Sequence, residues 1–209
     1  MAHKKHAFSP IHKKELQNQL IRAIEEDNER KALALLKKHS ELVKFLKTNT
    51  FDNLFGDKGK LYPSSLMKAL DNNLWRLSNL LITHKAKINY KDNAGRTALM
   101  IAALKAQNNL VKMLLDKGAQ VNAKDSSGLT PLIYALSGDT DRKSFFSVVK
   151  LLLEAGANPN LSKSALFYAQ FNWKQKSLKD KTEIIALLKK YGAKENKKYY
   201  INLDKLLVT

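Results

Sequence analysis

The sequence contains no cysteine and is short of acidic residues: 19 Asp+Glu stand against 37 Lys+Arg in 209 residues, a formal net charge of +18. Without a thiol there is no disulfide scaffold, no thiol nucleophile and no zinc ribbon, and the redox compartment is left open. Long apolar runs are missing as well. No stretch approaches the roughly 18 to 20 residues that span a bilayer, and the opening MAHKKHAFSP lacks the apolar segment of a secretory signal. The chain therefore reads as soluble, with no membrane insertion. It is cytoplasmic, or periplasmic or secreted if an export signal has been replaced by Met1. Catalytic patterns are equally scarce: there is no G-x-x-x-x-G-K, no H-E-x-x-H and no G-x-S-x-G. His3, His6 and His12 read as parts of a basic tail rather than as metal ligands. The expectation is a non-enzymatic protein with no cofactor and no metal.

Hydrophobic residues make up 44% of the chain, enough for a packed core despite the charge. They are arranged in repeats. Asp92 to Ala123 reads DNAGRTALMIAALKAQNNLVKMLLDKGAQVNA, and DSSGLTPLIYAL begins 33 residues later at Asp125. The segment Lys117-Gly118-Ala119-Gln120-Val121-Asn122 returns as Ala155-Gly156-Ala157-Asn158-Pro159-Asn160 at an offset of 38, so the second copy holds five extra residues.

This pattern resembles the ankyrin repeat, with its D-x-x-G-x-T-P-L start, apolar V-V-x-L-L-L run and G-A-D-x-N end. Thr130-Pro131-Leu132 and Gly156 to Asn160 match best. Weaker copies extend the reading to five units at about 12–43, 60–91, 92–124, 125–162 and 163–194, a single domain over 1–209 with 195–209 as a C-terminal cap. The resemblance is to a small, bacterial type of ankyrin protein. It implies a mainly α fold, a solenoid of stacked helix pairs joined by β-hairpin-like turns. Periodicity supports this independently: Leu99, Ala102 and Ala103 share one helical face, and Leu110, Val111, Met113 and Leu114 share another. Two such short helices bury their faces only by stacking on neighbouring units.

Local roles follow from position. Gly95 and Gly128 belong to hairpin tips. Thr97 and Thr130 read as N-cap hydroxyls, with Pro131 at the first helical position. Gly118, Gly156 and Gly192 read as left-handed residues just past the second helices. His39 and Lys85 hold that glycine place in the first two copies, so their turns are expected to be remodelled. Met67, Met100, Ile133 and Phe167 replace the family's usual histidine, so apolar packing is expected to replace its hydrogen bonds. Glu25, Glu26, Asp27, Glu29, Arg30 and Lys31 supply the polar outer face of the first unit.

Function is sought where the chain departs from the regular unit. The fourth unit is lengthened within Ser137 to Ser147 and the fifth within Gln170 to Thr182. These insertions carry Arg142, Lys143, Phe145 and Phe146 in one, and Phe171, Asn172, Trp173 and Lys174 in the other. Aromatics flanked by cations are enriched in interface hot spots, although the same side chains also serve to extend a core under longer helices. Carried over by position, the resemblance adds the hairpin tips, Asn93, Arg96, Ser126 and Ser127, with Leu104, Lys105 and Ser137 on the first-helix surface. The function expected is docking on another protein, an enzyme such as a hydrolase that the chain inhibits or shields, by a protein that is a monomer in isolation. A secreted effector or adaptor on a host protein is the alternative, along with low-specificity nucleic-acid binding. Nucleic acid ranks lower because the cations are 32 Lys to 5 Arg, and Arg is the residue that grips phosphates and bases bidentately.

Overall fold

A computed structural model describes residues 10–39, 42, 65–84, 86–138, 141–161, 165–171 and 178–195. The chain forms two compact units, Met1–Lys87 and Ile88–Thr209. All regular structure among the described residues is helical, and no helix there is long and apolar enough to cross a membrane.

The first unit holds two helix pairs: α1 (Pro10–Glu25) with α2 (Glu29–Lys38), and α3 (Ser65–Asp71) with α4 (Trp75–Thr83). Leu16, Leu20, Ala23, Ile24, Ala32, Leu36, Leu66, Met67, Leu70, Leu77, Leu81 and Ile82 are buried, with steps of three or four such as Leu16/Leu20/Ala23, Ala32/Leu36, Leu66/Leu70 and Leu77/Leu81. Each pair turns through a left-handed residue, Asp27 at φ 55° and Asn73 at φ 58°. These residue types tolerate that region because their short polar side chains bond locally. The turns close through Asn28 N–H to Ala23 O (2.8 Å) and Leu74 N–H to Ala69 O (2.8 Å).

The two repeats of this unit are tied by polar contacts that the sequence reading places elsewhere. Leu74, the N-cap of α4, has no side-chain oxygen to offer the first turn. Glu29 supplies it from the preceding repeat, its Oε1 accepting from Arg76 N–H (2.7 Å) and Leu77 N–H (3.0 Å). A carboxylate is favoured there because a helix N-terminus carries free N–H groups and partial positive charge. Glu29 thus caps a helix instead of facing solvent, whereas Glu26, Asp27, Arg30 and Lys31 are exposed as expected. The Glu25 side chain lies outside the described residues. His39 ends α2 at φ −128°, not left-handed, so that turn is remodelled; Lys85 lies outside the described residues.

The second unit holds three pairs: α5 (Ala98–Leu104) with α6 (Asn108–Asp116), α7 (Pro131–Ser137) with α8 (Arg142–Glu154), and α9 (Ala165–Phe171) with α10 (Leu178–Lys190). First helices pack in series, α5 on α7 and α7 on α9, and second helices likewise, α6 on α8 and α8 on α10. Leu99, Met100, Ala102, Leu110, Val111, Leu114, Leu132, Val148, Leu152, Leu166, Ile184 and Leu188 form the core. Met113, assigned by spacing to the buried face, is half-exposed.

Gly118, Gly156 and Gly192 have φ of 83°, 88° and 83°, the left-handed values expected after α6, α8 and α10. Thr97 caps α5 by accepting from Met100 N–H (3.4 Å), and the Met100 sulfur accepts the Thr97 N–H (3.3 Å). A thioether therefore takes over part of the polar role expected to vanish with histidine. Thr130 stands at the N-cap of α7 but makes no side-chain cap bond; Pro131, at the first helical position, has no N–H to leave unpaired there and its fixed φ suits the helix start.

Candidate partner-binding surface

The second unit is stitched along one edge by asparagine. Asn89 Nδ2 donates to Gly118 O (3.0 Å) and Asn89 Oδ1 accepts from Gln120 N–H (2.9 Å). Asn122 repeats this on Gly156 O (3.0 Å) and Asn158 N–H (2.8 Å), and Asn160 on Gly192 O (2.8 Å) and Lys194 N–H (2.8 Å). A side-chain amide sets a donor and an acceptor side by side, which suits it to a neighbouring carbonyl and N–H, and the same residue type recurs at each joint. Its signal was in the repeat ends, but its role as the joint between repeats was not read there.

The same unit carries two hairpin turns. Asp92 N–H donates to Arg96 O (3.1 Å) and Gly95 N–H to Asp92 O (2.8 Å); Asp125 N–H donates to Leu129 O (3.0 Å) and Gly128 N–H to Asp125 O (3.0 Å). Each aspartate folds its own tip. Asp92 Oδ1 accepts from Ala94 N–H (3.0 Å) and Arg96 N–H (2.8 Å), and its Oδ2 pairs with Arg96 Nε (2.8 Å). Asp125 Oδ1 accepts from Ser127 N–H (2.9 Å) and Leu129 N–H (2.7 Å), and its Oδ2 takes the Tyr134 hydroxyl (2.8 Å). Burial, and then the adjoining Asp125 carboxylate, push the Tyr134 phenol well above its ordinary value. That hydroxyl stays protonated and donating at neutral pH.

Adjacent tips are bolted together by Ser126 N–H to Ala94 O (2.9 Å). The approach leaves no room for a side chain at Gly95: a Cβ there would lie 2.7 Å from Ser126 N, and φ is already +72°. With their backbones fixed in this way, Asn93, Ser126 and Ser127 are exposed, while Arg96 is half-buried against Asp92.

The structure treats the insertion residues differently. Four extra residues make α8 longer than α6, thirteen against nine. Asp141 caps this longer helix through Ser144 N–H (2.9 Å). Phe145 is 1% exposed and belongs to the core, edge-to-face with Phe146 at 5.6 Å between centroids. It therefore extends the core under a longer helix and is not a surface anchor. Phe146 is half-buried and Lys143 exposed. The side chains of Arg142 and Phe171, and all of Asn172, Trp173 and Lys174, lie outside the described residues. Sequence reasoning also passed over Gly138, the C-cap of α7, where a Cβ would overlap the carbonyl oxygen of Leu104 in the preceding repeat.

Comparison with known proteins agrees with this geometry. A family description, "Ankyrin repeats (3 copies)", matches residues 31–125 and again 66–163. Among solved structures, an ankyrin repeat domain from Acinetobacter baumannii AYE is similar over 84% of this chain and 81% of its own, with 26% identity and a TM-score of 0.64. No curated protein matches the sequence.

Proposed function

The chain belongs to the ankyrin-repeat family, a non-catalytic scaffold for protein–protein interaction, and from that premise we propose that it binds its partner through the paired hairpin tips of the second unit. The observation that carries this reading is the Ser126–Ala94 bond between tips (2.9 Å), which fixes two exposed turns as one surface before any partner arrives. A surface that need not be ordered on binding loses less conformational freedom in the complex. Asn93, Ser126 and Ser127 offer small polar groups outward with no bulky side chain between them and a partner. A rigid surface without chemistry of its own acts on a partner by occupying it, so an enzyme that is blocked or shielded is the partner class proposed.

The test is steric. Asn93→Trp and Ser127→Trp place a large side chain on an exposed tip, and Asn109→Trp places one on the exposed side of α6. Against a partner isolated from the native organism, the tip variants should bind at least about tenfold more weakly, as loss of a central contact does, and Asn109→Trp should bind as the unaltered chain does. Full affinity in both tip variants overturns the proposal.

A further inference from the structure

The excess positive charge of the chain is not compensated equally on the two sides of the second unit. Along the outer helices most of the exposed described cations have a local counterweight. Lys112 is followed one turn later by Asp116, and Lys150 by Glu154 with an ion pair at 3.7 Å. Lys179 is likewise followed by Glu183, and Lys189 reaches Glu195 at 3.4 Å. Lys117 and Lys190 lie at helix C-termini, where free carbonyls and the helix dipole favour a cation. Lys143 follows the Asp141 cap.

The hairpin edge is built the other way. Its two acids turn inward: Asp92, 8% exposed, is neutralised by Arg96, and both oxygens of Asp125 are engaged by N–H groups and the Tyr134 hydroxyl. Its two lysines turn outward. Lys91 and Lys124 are exposed, and neither has an acidic partner among the described residues. They are linked across adjacent repeats, because Lys91 Nζ donates to the backbone carbonyl of Lys124 at 2.8 Å. Two exposed lysines from adjacent repeats, joined through the Lys124 backbone carbonyl, with Asp92 buried and Asp125 engaged in its own turn, form a positive site on the described surface of this unit.

We propose that Lys91 and Lys124 receive an acidic segment of the partner protein and steer its approach to the tips. This rests on the tip-binding reading and adds the chemistry of the partner. Lysine suits it: its compact, strongly hydrated charge accelerates encounter without demanding the planar geometry that arginine reads. Charge of this kind acts mainly on association and weakens with salt.

The experiment compares two variants of the full chain with identical net charge, Lys91→Gln/Lys124→Gln at the hairpin edge and Lys112→Gln/Lys150→Gln on the outer helices. The probe is a fluorescent decaglutamate peptide at low ionic strength, read by anisotropy. Two lost pairs of this kind weaken binding by about fivefold, so the hairpin variant should lose that much. The outer variant should stay within about twofold of the unaltered chain. Lys91→Arg/Lys124→Arg, which keeps both charges, should restore affinity even if the Lys91–Lys124 bond matters for the turn.

Equal losses in the two glutamine variants overturn the inference, as does failure of the unaltered chain to bind the peptide. Tighter binding of a decathymidylate with the same dependence on Lys91 and Lys124 also overturns it, assigning the site to nucleic acid. None of these results touches the tryptophan test of the tips, so the two proposals fail separately.

Discussion

Asn122 holds Gly156 from the next repeat, its Nδ2 3.0 Å from the glycine carbonyl and its Oδ1 2.8 Å from Asn158 N–H. Both halves of the amide are used. Asn122→Asp keeps the shape but sets a carboxylate oxygen against a carbonyl. It should lower stability by about 0.5–1.5 kcal/mol, the net worth of an ordinary hydrogen bond at an exposed joint. Urea denaturation checks this; an unchanged midpoint would show that the joint carries no energy.

Ala106 turns α5 into α6 at φ 47°, where Asp27 and Asn73 serve the same turn in earlier repeats. An alanine there carries left-handed strain that glycine avoids, and glycine's greater freedom in the unfolded chain offsets part of the gain. Ala106→Gly is therefore expected to raise stability by roughly 0.5–1 kcal/mol. A lower melting temperature would mean that burial of the Ala106 methyl outweighs the strain.

Gly138 and Gly118 separate two reasons for glycine. At Gly118 a Cβ meets nothing within 4 Å and only φ of +83° objects; at Gly138 φ is ordinary, but a Cβ would overlap the Leu104 carbonyl. Gly118→Ala should cost about 1 kcal/mol. Gly138→Ala should cost more, since backbone must move. Comparable losses in the two variants would show that α7 yields easily at its end.

Tyr134 sets an alkaline limit. Its phenol is raised in the folded chain, first by burial and then by Asp125, so its contribution is complete below the unfolded value of about 10 and is lost as pH rises beyond it. The stability difference between the unaltered chain and Tyr134→Phe should shrink above that pH. A difference constant through the alkaline range would place the phenol outside any such linkage.

Phe145 marks how far the sequence was legible. Repeat spacing gave the helix pairs and the turn glycines because each depends on neighbours within a few residues, and the family resemblance added the tips. Whether an inserted aromatic faces solvent depends instead on where the lengthened α8 places it, which spacing alone leaves open. The Glu29 cap on α4 and the Asn89, Asn122 and Asn160 joints are contacts between repeats, visible in sequence only as recurring residue types. The core position of Phe145 gives its own expectation: Phe145→Ala should cost about 3–5 kcal/mol of stability. An unchanged melting temperature would return it to the surface.

The most direct measurement is site-specific photocrosslinking of the full chain in complex with its partner protein. Benzoylphenylalanine at position 93 or 127 lies on the exposed tips, and at 109 or 112 on the exposed side of α6. The account predicts efficient crosslinks from 93 and 127 and none from 109 or 112. Crosslinks from α6 with silent tips would contradict it.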